Sequence, residues 1–367
     1  MPGHKGRADL AGFRSGDHYS IDVTELPGLD DLSNPSGVLA DLERRASCVW
    51  GSGESIISVN GASAPLAAAM IALASRGSTV LVPRNAHRSI INGLVLSGLF
   101  PLWYEPVWDD DWGVWGPVPV ICVQRLLERC GSELAGFVLV SPTFPGAFSP
   151  VEPIARLCHE HGVPLIVDEA HGSHLLPETG MPPGALSLGA DVVVHSLHKT
   201  LTGLTQTGIL HVAADSLLEP DRLRAALLLL QSSSPSYPLM LSIEQAVDLV
   251  CSQAGRHLLR DLNRHSEELG ELVDSMDSFL LYQPVYDRDP AHILIGHRQG
   301  RHEDLFQFLL NRGIFPEAVL GRGVLLLLGL GSTDADITYL ASALREFEAL
   351  AAAEPGDSSA VAWRPPP

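Results

Sequence analysis

Two short apolar runs constrain this chain more than any other feature, because each breaks off on a set of polar side chains. Val192-Val193-Val194 passes into His195-Ser196-Leu197-His198-Lys199-Thr200, and Leu165-Ile166-Val167 passes into Asp168-Glu169-Ala170-His171-Gly172. β-Branched runs of this length, bounded by polar or turn residues, read as buried strands. In open α/β sheets, ligands sit outside the carboxyl ends of the strands. The pair therefore predicts two neighbouring strands that release Asp168 and Lys199 at one sheet edge.

A lysine and a carboxylate at one edge suit pyridoxal phosphate (PLP). The amine is the covalent anchor, and an ionised Asp168 holds the pyridine nitrogen protonated, which makes the ring an electron acceptor. A single Asp or Lys at a strand end is more often a solvated loop charge, and it is the combination that favours the site. The alternative is zinc, because His171 and His174, and again His195 and His198, have a spacing open to metal ligation. A His195 still in its strand faces away from Ser196, however, and a metal would leave Lys199 an unpaired cation beside it.

From about Glu54 the pattern alternates strand and helix, which predicts a largely parallel sheet with helices on both faces. Ile56–Val59 ends on Asn60-Gly61-Ala62-Ser63-Ala64 before an Ala- and Leu-rich helix. A strand, a glycine turn and a small hydroxyl residue opening a helix form a seat for phosphate, although Ser63 as a simple N-cap is the commoner arrangement. Thr79–Val82 ends on Pro83-Arg84-Asn85-Ala86-His87, where a flat imidazole can lie on a cofactor ring or merely cap the next helix. A helix is expected around Ile154–His161, and Ser232 to Ser236 reads as a turn and N-cap. No G-x-G-x-x-G follows a strand and no Walker A sequence is present, so dinucleotides and nucleotides lose ground.

The expected organisation is an irregular arm over 1–45, a cofactor-binding large domain over 46–255, a small α+β domain over 256–350 and a disordered tail over 351–367. The small domain should run strand, strand, helix, strand, helix. Acidic residues number 43 against 24 basic ones, a net charge of −19, which argues against nucleic acid and anionic membranes as partners. Five cysteines without a C-x-x-C pair fit a reducing compartment, and the absence of an apolar leader or long apolar span points to the cytoplasm.

Several stretches, taken in order, resemble the major family of Orn/Lys/Arg decarboxylases, which are PLP enzymes of fold type I, the aspartate aminotransferase-like fold. They are Met1-Pro2-Gly3-His4-Lys5-Gly6, Leu29-Asp30-Asp31-Leu32, Arg84-Asn85-Ala86-His87-Arg88-Ser89, Val167 to Gly172, Ser196 to Leu201 and Ser233-Ser234-Pro235-Ser236-Tyr237. The resemblance implies that Lys199 anchors the cofactor, Asp168 pairs with the pyridine nitrogen, and His87 stacks on the ring face opposite Ala170. It implies that Ser63, Ser196 and His198 surround the phosphate, with Ala64 standing where a second small hydroxyl residue is usual. Phe144-Pro145 replace a hydroxyl-bearing stretch, and segments before and after this chain are expected to be missing. His171 belongs with the cofactor set, and a homodimer is implied in which Ser236 serves the partner's cofactor.

The implied reaction is decarboxylation of lysine, arginine or ornithine to a diamine or agmatine, as in polyamine biosynthesis, with Lys199 or His198 returning the proton. Asp30, Asp31 and Glu317 are candidates for the substrate's distal cation. An aminotransferase or lyase on the same scaffold, and a non-catalytic relative acting by binding, stand as alternatives.

Overall fold

A computed structural model describes residues 18–130 and 134–353 of the chain. The strands are β1 (Glu54–Ser58), β2 (Thr79–Pro83), β3 (Phe100–Tyr104), β4 (Trp108–Asp109), β5 (Val114–Trp115), β6 (Leu134–Val140), β7 (Leu165–Asp168), β8 (Val192–Ser196), β9 (Gly208–Val212), β10 (Phe279–Leu281), β11 (His292–His297), β12 (Ala318–Leu320) and β13 (Gly323–Leu327). The helices are α1 (His18–Ile21), α2 (Val38–Trp50), α3 (Ser63–Leu73), α4 (Arg88–Ser97), α5 (Val120–Cys130), α6 (Val151–Glu160), α7 (Leu197–Thr200), α8 (Pro220–Leu228), α9 (Tyr237–Cys251), α10 (Gln253–Asp274), α11 (His302–Leu310) and α12 (Asp334–Ala353).

The large sheet has seven strands in the order β1-β9-β8-β7-β6-β2-β3. Only β9 runs against its neighbours, so the other strands deliver their carboxyl ends to one edge. Side chains alternate across the pleat. Val80, Val82, Val138, Ile166, Val192 and Val194 pack toward α3, α4 and α8, whereas Leu81, Phe137, Leu139, Val167 and Val193 pack toward α5 and α6. This alternation puts Asp168 and Ser196 on the α3 side of the sheet and His195 on the other.

Helix α3 is buried on almost every side, which its alanines permit at little side-chain entropy cost. Full burial of Leu66, Met70 and Leu73 stabilises by roughly 1.5–3 kcal/mol each. The crossing with α4 is close enough that a Cβ on Gly93 would lie 2.8 Å from Met70 Cβ and 2.9 Å from Ala67 Cα, so only glycine fits there.

A second sheet, β10-β11-β13-β12, is antiparallel, and α10, α11 and α12 pack with it. Two differences from expectation stand out. Helix α2 begins at Val38, inside the stretch 1–45 where an irregular arm is expected, and the small sheet has an additional strand because residues 318–327 fold as a hairpin. Among the described residues no helix is long and apolar enough to cross a membrane. All five cysteines are free thiols. The expected tail beyond Ala353 and the opening Met1–Gly6 motif lie outside the described residues.

Candidate active site

The carboxyl ends of β1, β2, β6, β7 and β8 open on one cavity of about 800 Å³. Asp168, Ala170, His171, Ser196, His198, Lys199, His87 and Ser63 all line it, so the structure gathers most of the sequence candidates at one place. The β4–β5 hairpin adds Val114 and Trp115, and Leu320 closes it from the small sheet. Neither contribution is legible in the sequence, because both come from short strands distant in the chain.

Asp168 ends β7 and is 5% exposed. Burial raises its pKa, opposed first by Lys199 and then by the Ala170 N–H, which it accepts at 3.2 Å, and by His87. Among the described residues that N–H is its only hydrogen-bond donor. A buried carboxylate with a single donor calls for a cationic partner, and a protonated ring nitrogen has the chemistry to be one.

Lys199 sits one turn into α7, which starts directly at the end of β8. Burial lowers its pKa while Asp168 and Glu317 oppose the shift, and its Nζ donates to His171 Nε2 at 2.9 Å. His198 donates from Nδ1 to the Thr207 carbonyl at 3.3 Å, and burial lowers its pKa.

The turn at Gly61 has the form of a phosphate seat. Gly61 has φ +64° and donates to Gln206 O at 2.7 Å. A Cβ on Gly208 would lie 2.7 Å from Gly61 C, so β9 can approach the turn only with glycine at that position. Ala62, not Ser63, is the N-cap of α3. The Ser63 hydroxyl is therefore exposed and free of a capping bond, and the N–H groups of Ser63 and Ala64 have no acceptor inside the helix. Asn85 Oδ1 is a buried acceptor with no partner among the described residues, and Asn85 lines the same cavity. A buried carboxylate, a half-buried amine, a helix N-terminus and an orphaned acceptor around one space fit PLP.

His87 combines both roles offered for it. It is the N-cap of α4, with Nδ1 accepting from Ser89 N at 3.2 Å, and it also lines the cavity. Burial lowers its pKa.

Other residues singled out in the sequence stand apart from the cavity. Asp30 does not face the cavity: it accepts backbone N–H groups from Ser36, Gly37 and Leu39 at the start of α2, and neither it nor Asp31 lines the site. The spaced histidine pairs are split. His195 bonds Glu169 at 2.8 Å on the far face and His174 bonds Asp289 at 2.8 Å, and among the described residues no three His, Cys, Asp or Glu side chains converge as a metal site. Ser236 is the N-cap of α9 and stands outside the cavity of its own chain.

His171 is held by a chain of side chains from the small sheet and the loop after β7. Its Nδ1 meets His292 Nε2 at 3.2 Å, His292 Nδ1 meets Asp289 Oδ2 at 2.9 Å, and His174 Nε2 meets Asp289 Oδ1 at 2.8 Å. The Asp289-Pro290-Ala291-His292 spacing at the start of β11 is a faint signal, invisible as chemistry until β11 approaches the loop after β7.

The fold and the cavity define the class: this is the fold type I architecture of PLP-dependent enzymes. Lysine decarboxylase A from Pseudomonas aeruginosa has the same fold, with a TM-score of 0.83 at 20% identity, covering 96% of this chain and 58% of that one. The model of the Orn/Lys/Arg decarboxylase major domain matches residues 2–292, and the chain belongs to that family. It is 37% identical over 316 residues to the uncharacterized protein YaaO of Bacillus subtilis, covering 85% of this chain and 66% of that protein. It is 27% identical over 365 residues to an arginine decarboxylase of Bacillus cereus, covering 95% of this chain and 78% of that protein. The chain thus spans less than two thirds of YaaO and of the solved lysine decarboxylase. The family and the fold imply PLP.

Proposed function

We propose that this chain decarboxylates a basic amino acid, lysine, arginine or ornithine, with PLP as cofactor. One observation carries the reading: Asp168, Lys199 and His87 line a single cavity at the carboxyl edge of the sheet, beside the open N-terminus of α3. Lys199 would anchor the cofactor, Asp168 would pair with its ring nitrogen, and His87 would lie on the ring face opposite Ala170. Ser63, Ser196, His198 and the Ser63 and Ala64 N–H groups would hold the phosphate. When bound, PLP supplies an electron sink for the pair released as the α-carboxylate leaves.

The chain's own residues set the conditions for that step. Paired with the protonated ring nitrogen, Asp168 would hold a negative charge at a buried position, where it acts strongly. Lys199 and His198 are the candidates to return a proton to the substrate α-carbon. Glu317 is the candidate for the distal cation, because its charge reaches Lys199 and it sits just before the β12 strand that closes the cavity. His171 holds the anchor amine.

The domain division at 46–255 and 256–350, action in the cytoplasm and a contribution to polyamine synthesis belong to the same proposal. So does a homodimer in which Ser236 serves the partner's cofactor; its place outside its own cavity supports this. Purified protein incubated with PLP and each of the three amino acids, beside Lys199→Ala, tests it. Carbon dioxide and amine from one substrate, lost in the variant, are expected. No product from any substrate despite bound PLP would overturn decarboxylation.

A further inference from the structure

The hydrogen-bond chain behind Lys199 has a direction fixed from its far end. Asp289 is fully buried. Burial pushes its pKa up, but His174 and His292 outweigh this and hold the carboxyl well below the usual range, so it is an acceptor only. Its Oδ1 also accepts from Ala291 N at 2.9 Å. Facing that acceptor, a neutral His292 donates from Nδ1 and accepts at Nε2. His171 must in turn donate from Nδ1, which leaves Nε2 bare toward Lys199 Nζ at 2.9 Å.

We infer that Asp289 and His292 are positioning residues for the proton on Lys199: they lock His171 in the tautomer that can take that proton, and they provide a place to keep it. As the Lys199 ammonium gives a proton to His171 Nε2, the Nδ1 proton of His171 passes to His292 Nε2. Lys199 becomes a neutral amine, His171 stays neutral, and His292 becomes a cation paired with Asp289. One proton moves in each of two bonds, no electrons leave, and the reverse sequence returns the proton. An amine that must attack a carbonyl needs its lone pair free, and the relay frees it without releasing the proton to bulk water.

The other charges facing this group are Asp168 and Glu317, which favour the ammonium, and His87 and His198, which feel its charge. Around His171 they are His174, His292 and Asp289. None but His171 offers Lys199 a hydrogen-bond acceptor among the described residues. The relay also joins the two sheets, because His292 begins β11 whereas His171 and Lys199 follow β7 and β8.

This inference rests on Lys199 as the cofactor's anchor, and Asp289→Asn tests it. The amide oxygen can still accept from Ala291 and His174, while the amide N–H faces His292 Nδ1 and reverses its tautomer, so that His171 presents an N–H to Lys199 in place of a lone pair. A reversed tautomer with intact geometry is a known way to disable a catalytic imidazole. Two measurements decide. ¹⁵N-histidine NMR of the apoprotein should find His171 protonated at Nδ1 in the wild type and at Nε2 in the variant. The rate of PLP capture by apoprotein, followed by visible absorbance across pH, should level off on the acid side in the wild type. In the variant it should fall by about tenfold per pH unit there, with the two rates converging at high pH.

His292→Gln, which keeps hydrogen-bonding groups but cannot take up a proton, should give the same slope and serves if Asp289→Asn does not fold. An unchanged His171 tautomer in Asp289→Asn, or parallel pH profiles, would overturn the relay. If wild-type apoprotein captures no PLP, the cofactor reading fails, and the NMR tautomers still decide the relay.

Discussion

Replacing Asp30 by alanine separates a structural carboxylate from a substrate-binding one. Its two oxygens receive Ser36 N at 3.1 Å, Gly37 N at 2.7 Å and Leu39 N at 3.0 Å, so Asp30 caps α2 from outside the helix. Ser36 and Gly37 are exposed, and water can take over their N–H groups, but Leu39 is buried. Losing a helix cap costs about 0.5–2 kcal/mol, and losing a hydrogen bond to a charged group about 1.5–3 kcal/mol. Because these overlap, about 3 kcal/mol is expected in all. With an unfolding entropy of about 2.1 cal/mol/K per residue over the 367-residue chain, that lowers Tm by roughly 4 °C.

The pH dependence gives a second handle on the same residue. Burial raises the Asp30 pKa, but the N–H groups of Ser36, Gly37, Asp31 and Leu39 outweigh it and bring the carboxyl below its ordinary value. The stabilisation is therefore fully present above the unfolded value of about 3.9 and is lost as pH falls through the lower folded value. Thermal unfolding by circular dichroism should give a constant gap between wild type and Asp30→Ala at neutral pH, closing in acid. An unchanged Tm together with a raised KM for a basic amino acid would refute the reasoning and return Asp30 to the substrate site.

Other outcomes follow from the same geometry. Glu317→Gln should raise KM for the preferred basic amino acid about tenfold, equivalent to about 1.4 kcal/mol, with kcat largely kept; steady-state kinetics check it. Gly208→Ala drives a Cβ against Gly61 and should cost about 1–3 kcal/mol of stability and weaken PLP retention, measured by unfolding and by dialysis of the holoprotein. Glu169→Ala leaves the buried Ala185 and His195 N–H groups without their acceptor and should destabilise by about 1–3 kcal/mol for each, read from unfolding curves.

Asp168, His171, Ser196 and Lys199 are legible in the sequence because an apolar strand that stops on polar residues is a local signal with a fixed meaning at a sheet edge. Helix α2 is hidden because its N-cap, Gly37, offers no side chain and the capping carboxylate comes from Asp30, seven residues earlier. The start of α6 at Val151 is obscured by Pro153, which reads as a break although a first helical turn tolerates proline. Strands β4, β5 and β12 are too short to show alternation. The Asp289–His292–His171 chain depends on the approach of two sheets, which no local pattern encodes.

Everything proposed for the cavity depends on Lys199 as the covalent anchor of PLP. Apoprotein loaded with PLP, reduced with borohydride, digested and analysed by mass spectrometry tests it most directly. One modified peptide is expected, carrying the phosphopyridoxyl group on Lys199 and absent when Lys199 is alanine. A label on another lysine, or none after loading at saturating PLP, would contradict it.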